Sequence, residues 1–185
     1  ASFYRTGREM TANVSADELD FVQIDRKRIE RAVDALERAK CAGLRVVTAE
    51  SCTGGLIATV LSEAPGAAEY LDGGFVTYTP EQMLGSQAGP KAYRAIWRCQ
   101  RSGRDAMARG ALERSQADIA VSVTGVAGPE PDQRGNPVSL VYLACARKAG
   151  SGVGVKREFG DIGRSRIRYQ AASDALGLIA RLSET

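Results

Sequence analysis

The chain has 185 residues, 44% of them apolar and 25% charged, which suits one soluble globular domain with a sizeable core. Its net charge of +3, with Lys and Arg spread along the chain, is too small to argue for a nucleic-acid partner. No apolar stretch approaches the roughly 20 residues of a membrane helix, the N-terminus has no apolar signal core, and histidine is absent, which excludes Ser-His-Asp and Cys-His chemistry and most catalytic zinc sites. Cys41, Cys52, Cys99 and Cys145 form no C-x-x-C pair, so zinc and redox motifs are missing and reduced thiols in a cytoplasmic protein are expected.

Residues 1–24 are polar and weakly periodic and read as an N-terminal extension, with one domain over 25–185. Ile29, Ala32, Val33, Leu36 and Ala39 recur at helical spacing, and Gly43 ends that helix. A strand is expected at 44–49, a helix at about 53–63, a turn at Pro65-Gly66 and a second strand at 73–78. A helix over 104–115 and a third strand over 118–124 follow. Gly125 to Pro137 is a long Gly/Pro-rich loop, a length that favours a functional role. Strands at 138–146 and 153–159 come next, the latter antiparallel, and a helix over 163–182 closes the chain. This alternation predicts an α/β fold, a three-layer α/β/α sandwich with a mixed sheet.

The most informative stretch is Glu50-Ser51-Cys52-Thr53-Gly54-Gly55, between the first strand and its helix. It places hydroxyls, a thiol and two glycines where a helix start offers unpaired N–H groups and a positive dipole end, a place for an anion or a forming oxyanion. A plain capped turn explains the same residues. It is neither a Walker loop nor a dinucleotide-binding glycine fingerprint. Thr124-Gly125-Val126-Ala127-Gly128-Pro129 ends another strand, and strand ends of an α/β sheet converge on the edge where ligands bind. Tyr78 could project to that edge or pack at the sheet margin. Arg164, Arg166 and Arg168 read either as surface charges or as a grip on phosphate.

These blocks, with Gly74-Phe75-Val76-Thr77-Tyr78, Pro137-Val138 and Phe159-Gly160-Asp161, together resemble the CinA C-terminal-domain family. The resemblance spans residues 29–182 and does not include the separate N-terminal domain of full-length members. It implies a three-layer α/β/α fold and a nicotinamide-nucleotide amidase, which converts nicotinamide mononucleotide and water to nicotinate mononucleotide and ammonia. It implies a serine nucleophile working with a lysine and a tyrosine. By position Ser51 is the nucleophile and Tyr78 a proton-handling or orienting group. Thr53, Gly54 and Gly55 offer N–H groups to the oxyanion or phosphate, Thr124, Gly125 and Gly128 line the nucleotide pocket, and Arg164 is a substrate-binding cation. The partner implied is a small-molecule nucleotide, with no metal, cofactor, nucleic acid or membrane; a homo-oligomer is compatible with the sequence.

The chain departs from the family after Tyr78. The usual Ser-Asn-Glu-Ala-Lys is replaced by Thr79-Pro80-Glu81-Gln82-Met83, and no lysine follows until Lys91. The family's Gly-Ala-Val-Ser is missing, and Trp97-Arg98-Cys99-Gln100-Arg101-Ser102 stands about where it belongs. Asn136 replaces a loop lysine, and Ser139 replaces the glycine after Pro-Val. Trp97 to Arg101 can be encoded TGG-CGC-TGT-CAG-CGG. One base on, with the next codon beginning TC, this reads Gly-Ala-Val-Ser-Gly. The hypothesis is a reading-frame slip over roughly residues 86–104; the competing reading is a divergent surface segment. An uninterrupted frame on resequencing the gene, with no shifted match in close relatives, rules the slip out. Without the lysine, Ser51 lacks its expected activator, and Cys52 is a weaker substitute nucleophile.

Overall fold

The computed structural model describes residues 25–78 and 101–184. The proposed N-terminal extension, Lys91 and Trp97 to Gln100 lie outside the described residues. Helix α1 (Arg26–Cys41) starts where the Asp25 side chain accepts the Arg28 N–H at 2.9 Å. It buries Ala32, Ala35, Leu36 and Ala39 at helical spacing. It ends where Gly43 takes a φ of 66°, the left-handed conformation that glycine adopts without strain.

The remaining elements, in chain order, are β1 (Val46–Glu50), α2 (Leu56–Ser62), α3 (Ala67–Tyr70), β2 (Leu71–Val76), α4 (Arg101–Glu113), β3 (Ile119–Gly125), β4 (Leu140–Arg147), β5 (Gly152–Glu158) and α5 (Arg164–Ser183). The sheet order is β2-β1-β3-β4-β5. β2, β1 and β3 run parallel, whereas β4 and β5 are antiparallel additions on one side. The mixed α/β architecture expected from the sequence is the one observed.

Strand residues alternate between two cores, as the period of two requires. Val46, Ile119, Val121, Val123, Val141 and Leu143 join α1, α2 and α5 on one face. Val47, Ala49, Ala120 and Ala144 meet Met107, Ala108, Ala111 and Leu112 of α4 on the other. Three layers follow. β1, β2 and β3 run parallel, so their C-terminal ends open on the same edge. The second strand lies two residues earlier than the sequence suggested, because its ladder stops at the Glu50–Val76 pair, where β1 turns away. Tyr78 therefore projects beyond the strand. The short α3 was not anticipated; four residues carry too little periodicity to signal a helix.

One residue contradicts its surroundings. Arg104 lies on the apolar stripe of α4 that continues through Met107, Ala108, Ala111 and Leu112, and it is only 4% exposed. Its Nε has no hydrogen-bond partner among the described residues. Its ion-pair partner, Asp105, is 3.5 Å away and half exposed. The guanidinium rests against Gly154, where an added Cβ would come within 2.1 Å of it. The Tyr142 ring lies 6.0 Å from it, and with these partners among the described residues a buried cation costs more than an apolar side chain of similar length. Arg104→Met is expected to raise the unfolding free energy by about 1–3 kcal/mol. Urea denaturation checks this, and a lower midpoint for the variant would show that the cation is well compensated.

Candidate active site

The turn after β1 is organised by Glu50, which is fully buried. Its Oε1 accepts the Thr48 hydroxyl at 3.0 Å and the Ala58 N–H at 2.9 Å. Its Oε2 accepts the Thr53 hydroxyl at 2.8 Å and the Ile57 N–H at 3.0 Å. Four donors on two oxygens satisfy a carboxylate, which is an acceptor only. The N–H groups of the first turn of α2 are thus capped by a side chain from the strand before it, and the anion at this helix start is part of the protein.

The backbone closes the same turn. The Ser51 N–H donates to the Val123 carbonyl at 3.0 Å, the Gly54 N–H to the Ser51 carbonyl at 3.0 Å, and the Thr77 N–H to the Glu50 carbonyl at 2.8 Å. Gly54 and Gly55 have φ of 62° and 92°, a reversal that side chains with a Cβ adopt only under strain. The sequence spacing therefore delivers a half-buried Ser51 at the end of the parallel strands, between β2 and β3.

The loop after β3 forms the opposite wall. Gly125 passes so close to β4 that an added Cβ would lie 2.4 Å from the Leu140 carbonyl oxygen. Within the loop, Asp132 Oδ1 accepts the N–H groups of Arg134 and Asn136, both at 2.9 Å, and its Oδ2 accepts the Asn136 amide at 2.7 Å. Asn136 thus has a structural role in fixing the loop. Ser139 has a φ of 77°, unusual for a residue with a side chain, and accepts the Gly160 N–H on its Oγ at 3.1 Å. That conformation accounts for the glycine in the family pattern at this position.

Helix α5 contributes two arginines from one face. Arg164 Nη2 donates to the Tyr78 hydroxyl at 2.6 Å, and its Nη1 donates to the Gly128 carbonyl. Arg168 Nη2 donates to the Thr53 carbonyl at 2.7 Å. Because the phenol oxygen of Tyr78 accepts from Arg164, its own proton is left to point elsewhere.

A cavity of about 260 Å³ lies among these parts, lined by Ser51, Cys52, Tyr78, Gly125, Val126, Ala127, Gly128, Glu130, Asp132 and Arg164. Of the residues singled out from the sequence, Ser51, Tyr78, Gly125, Gly128 and Arg164 share this space. Thr53 does not line it; its hydroxyl is committed to Glu50 and its carbonyl to Arg168. Thr124 is buried in β3 beside the mouth, and Gly54 and Gly55 shape the turn. The sequence reading gave no role to Glu50 or to the cavity-lining Glu130 and Asp132. A carboxylate two residues after a strand threonine and three before another threonine was the available signal for Glu50.

Among the described residues no lysine lines the cavity, and no three His, Cys, Asp or Glu side chains gather as metal ligands. Cys52 is buried, and burial pushes the thiol of Cys145, on β4, up to about 12. No described helix is long and apolar enough to cross a membrane.

Glu50→Gln keeps the size of the side chain but turns an amide N–H₂ toward N–H and hydroxyl donors. It is expected to cost about 2–4 kcal/mol of stability. A urea midpoint within error of the parent protein would show that the four hydrogen bonds are not the constraint described.

The chain is similar to the nicotinamide-nucleotide amidohydrolase PncC of Escherichia coli (strain K12), 38% identical over 146 residues, which cover 74% of this chain and 83% of that protein. It is 34% identical over 167 residues to a CinA-like protein of Synechocystis, covering 88% of this chain and 39% of the relative. Against relatives of that longer kind it spans about two fifths of their length. The crystal structure of the competence/damage inducible protein CihA from Agrobacterium tumefaciens superposes with a TM-score of 0.80 at 38% identity, covering 86% of this chain and 98% of that one. Residues 26–183 match the CinA C-terminal domain, and the chain belongs to that family.

Proposed function

We propose that this domain is an amide hydrolase acting on a nicotinamide nucleotide, releasing ammonia from nicotinamide mononucleotide by attack of Ser51. The observation that carries this reading is the shared cavity: Ser51, Tyr78 and Arg164, from three separate elements, face one space of about 260 Å³. The 38% identity to an amidohydrolase of nicotinamide nucleotides supports the choice of substrate.

In this reading the Ser51 hydroxyl adds to the carboxamide carbon, and its proton ends on the departing amide nitrogen. The tetrahedral intermediate expels ammonia, and water then hydrolyses the ester left on Ser51. Tyr78, held by Arg164, presents its phenol proton to the cavity, where it stabilises the oxyanion or protonates the departing nitrogen. Arg164 sets Tyr78 and the Gly128 carbonyl and, as a cation on the cavity wall, favours an anionic substrate. Glu130 supplies acceptors suited to ribose hydroxyls.

The second reading is a nucleotide-binding member that has lost hydrolysis. It is favoured by the absence of a cavity-lining lysine among the described residues. An ammonia-release assay with nicotinamide mononucleotide separates the two. Turnover that falls at least about a thousandfold in Ser51→Ala supports the hydrolase. Binding without turnover in the parent protein supports the second reading, and neither binding nor turnover sinks both.

A further inference from the structure

We infer that Arg168 is a positioning residue that sets the geometry of the Ser51–Gly55 turn from helix α5. The inference rests on the reading of Ser51 as nucleophile for its catalytic consequence, but not for its structural one. Arg168 follows Arg164 by four residues, so both side chains leave the same face of α5. That helix is fixed on the sheet by Ile167, Ala171 and Ala175, each fully buried, so its arginines are carried by a rigid support.

The two guanidinium groups do different work. Arg164 reaches Tyr78 and Gly128 and lines the cavity. Arg168 does not line the cavity; it reaches across 115 positions of sequence to the Thr53 carbonyl at 2.7 Å. Gly54 lies immediately beside it: an added Cβ there would be 3.5 Å from Arg168 Nη2 and 3.9 Å from Tyr78 Cε2. Within the turn the Thr53 carbonyl is met only by the long 3.4 Å contact from the Leu56 N–H. The arginine thus supplies the short bond to this carbonyl.

The electrostatics give that bond more weight than an ordinary surface contact. Among the described residues Arg168 forms no ion pair and its buried Nε has no acceptor. Its charge acts on the Thr53 peptide, and the Thr53 hydroxyl donates to the buried Glu50. Cation and carboxylate therefore grip one residue from opposite sides, through its carbonyl and its hydroxyl. Ser51 is tied to the same structure by the Gly54 N–H on its carbonyl. Releasing Thr53 frees the turn to move, and the Ser51 hydroxyl moves with it. A displacement of about 1 Å at a reacting group costs on the order of a hundredfold in rate.

The test uses the full chain, with Arg168→Met, which keeps an apolar stem, and Arg168→Lys, which keeps one charged donor within reach of the carbonyl. Amide hydrogen exchange of residues 52–56 is expected to accelerate about tenfold or more in the Met variant and to stay near the parent value in the Lys variant. With nicotinamide mononucleotide, kcat is expected to fall at least about tenfold in Arg168→Met with KM within about threefold, and to recover in Arg168→Lys. Unchanged exchange in Arg168→Met overturns the inference whatever the activity. So does a Lys variant as impaired as the Met variant, or an effect confined to KM, which would make Arg168 a substrate contact. If the parent protein does not turn over this nucleotide, the proposed function fails and the exchange measurement alone still decides the role of Arg168.

Discussion

The buried carboxylate of Glu50 is the constraint on which the site depends. It ends β1, satisfies the first N–H groups of α2 and holds the hydroxyls of Thr48 and Thr53. A charge taken out of water is expensive unless its lone pairs are filled, and here all the compensation comes from the segment whose shape matters. Strand, turn and helix therefore form one unit, because moving any of them leaves the carboxylate short of a donor. The consequence for function is a division of labour. Capping by Glu50 stabilises the turn and leaves the neighbouring Ser51 at the cavity wall.

The second level of control comes from α5. Its apolar contacts place it across the sheet, and its first two turns then put Arg164 and Arg168 over the strand ends. Between them they bind backbone or side chain from the turn after β1, from the residue beyond β2 and from the loop after β3. No single segment of sequence encodes the cavity. The sheet order brings β1 between β2 and β3, and the C-terminal helix ties the three ends together. Coupling of this kind makes the site geometry a property of the whole domain, while the chemistry rests on few atoms.

The layered α/β fold was legible because each element repeats a simple period. The alternation in β3, Ile119 and Val121 to one core and Ala120 to the other, is an example. The backbone of the site was legible too, since glycines after strands signal turns of restricted shape. What could not be read was which polar groups satisfy one another. Glu50 stood in plain view, yet its partners are seven and eight residues on at Ile57 and Ala58, and only a closed turn brings them to it. Arg168 and Thr53 are 115 positions apart, so no local pattern links them. At the helix start the Glu50 carboxylate takes the Ile57 and Ala58 N–H groups and the Ser51 carbonyl takes the Gly54 N–H, pairings that the glycines alone do not announce.

Arg104 bears on the departure of this chain from its family. Among the described residues, the positions that follow it on its stripe of α4 are apolar, and its guanidinium meets the half-exposed Asp105 at 3.5 Å and the ring of Tyr142 at 6.0 Å. This residue is also the last of the stretch in which a shifted reading frame was hypothesised from codons alone. Read one base on, a Gly103 codon of the form GGN and an Arg104 codon of the form CGN give GNC followed by GNG. The second encodes only valine, alanine, glycine or glutamate, and three of those four are small enough and uncharged enough for a place packed against Gly154. A merely divergent surface segment has no reason to end in a buried charge, since surface drift substitutes exposed positions first. A slip ending here would put one of those residues in place of Arg104, an outcome that resequencing the gene tests. Such a slip would move the question of the missing lysine from the chemistry of Ser51 to the sequence of the segment between Tyr78 and α4.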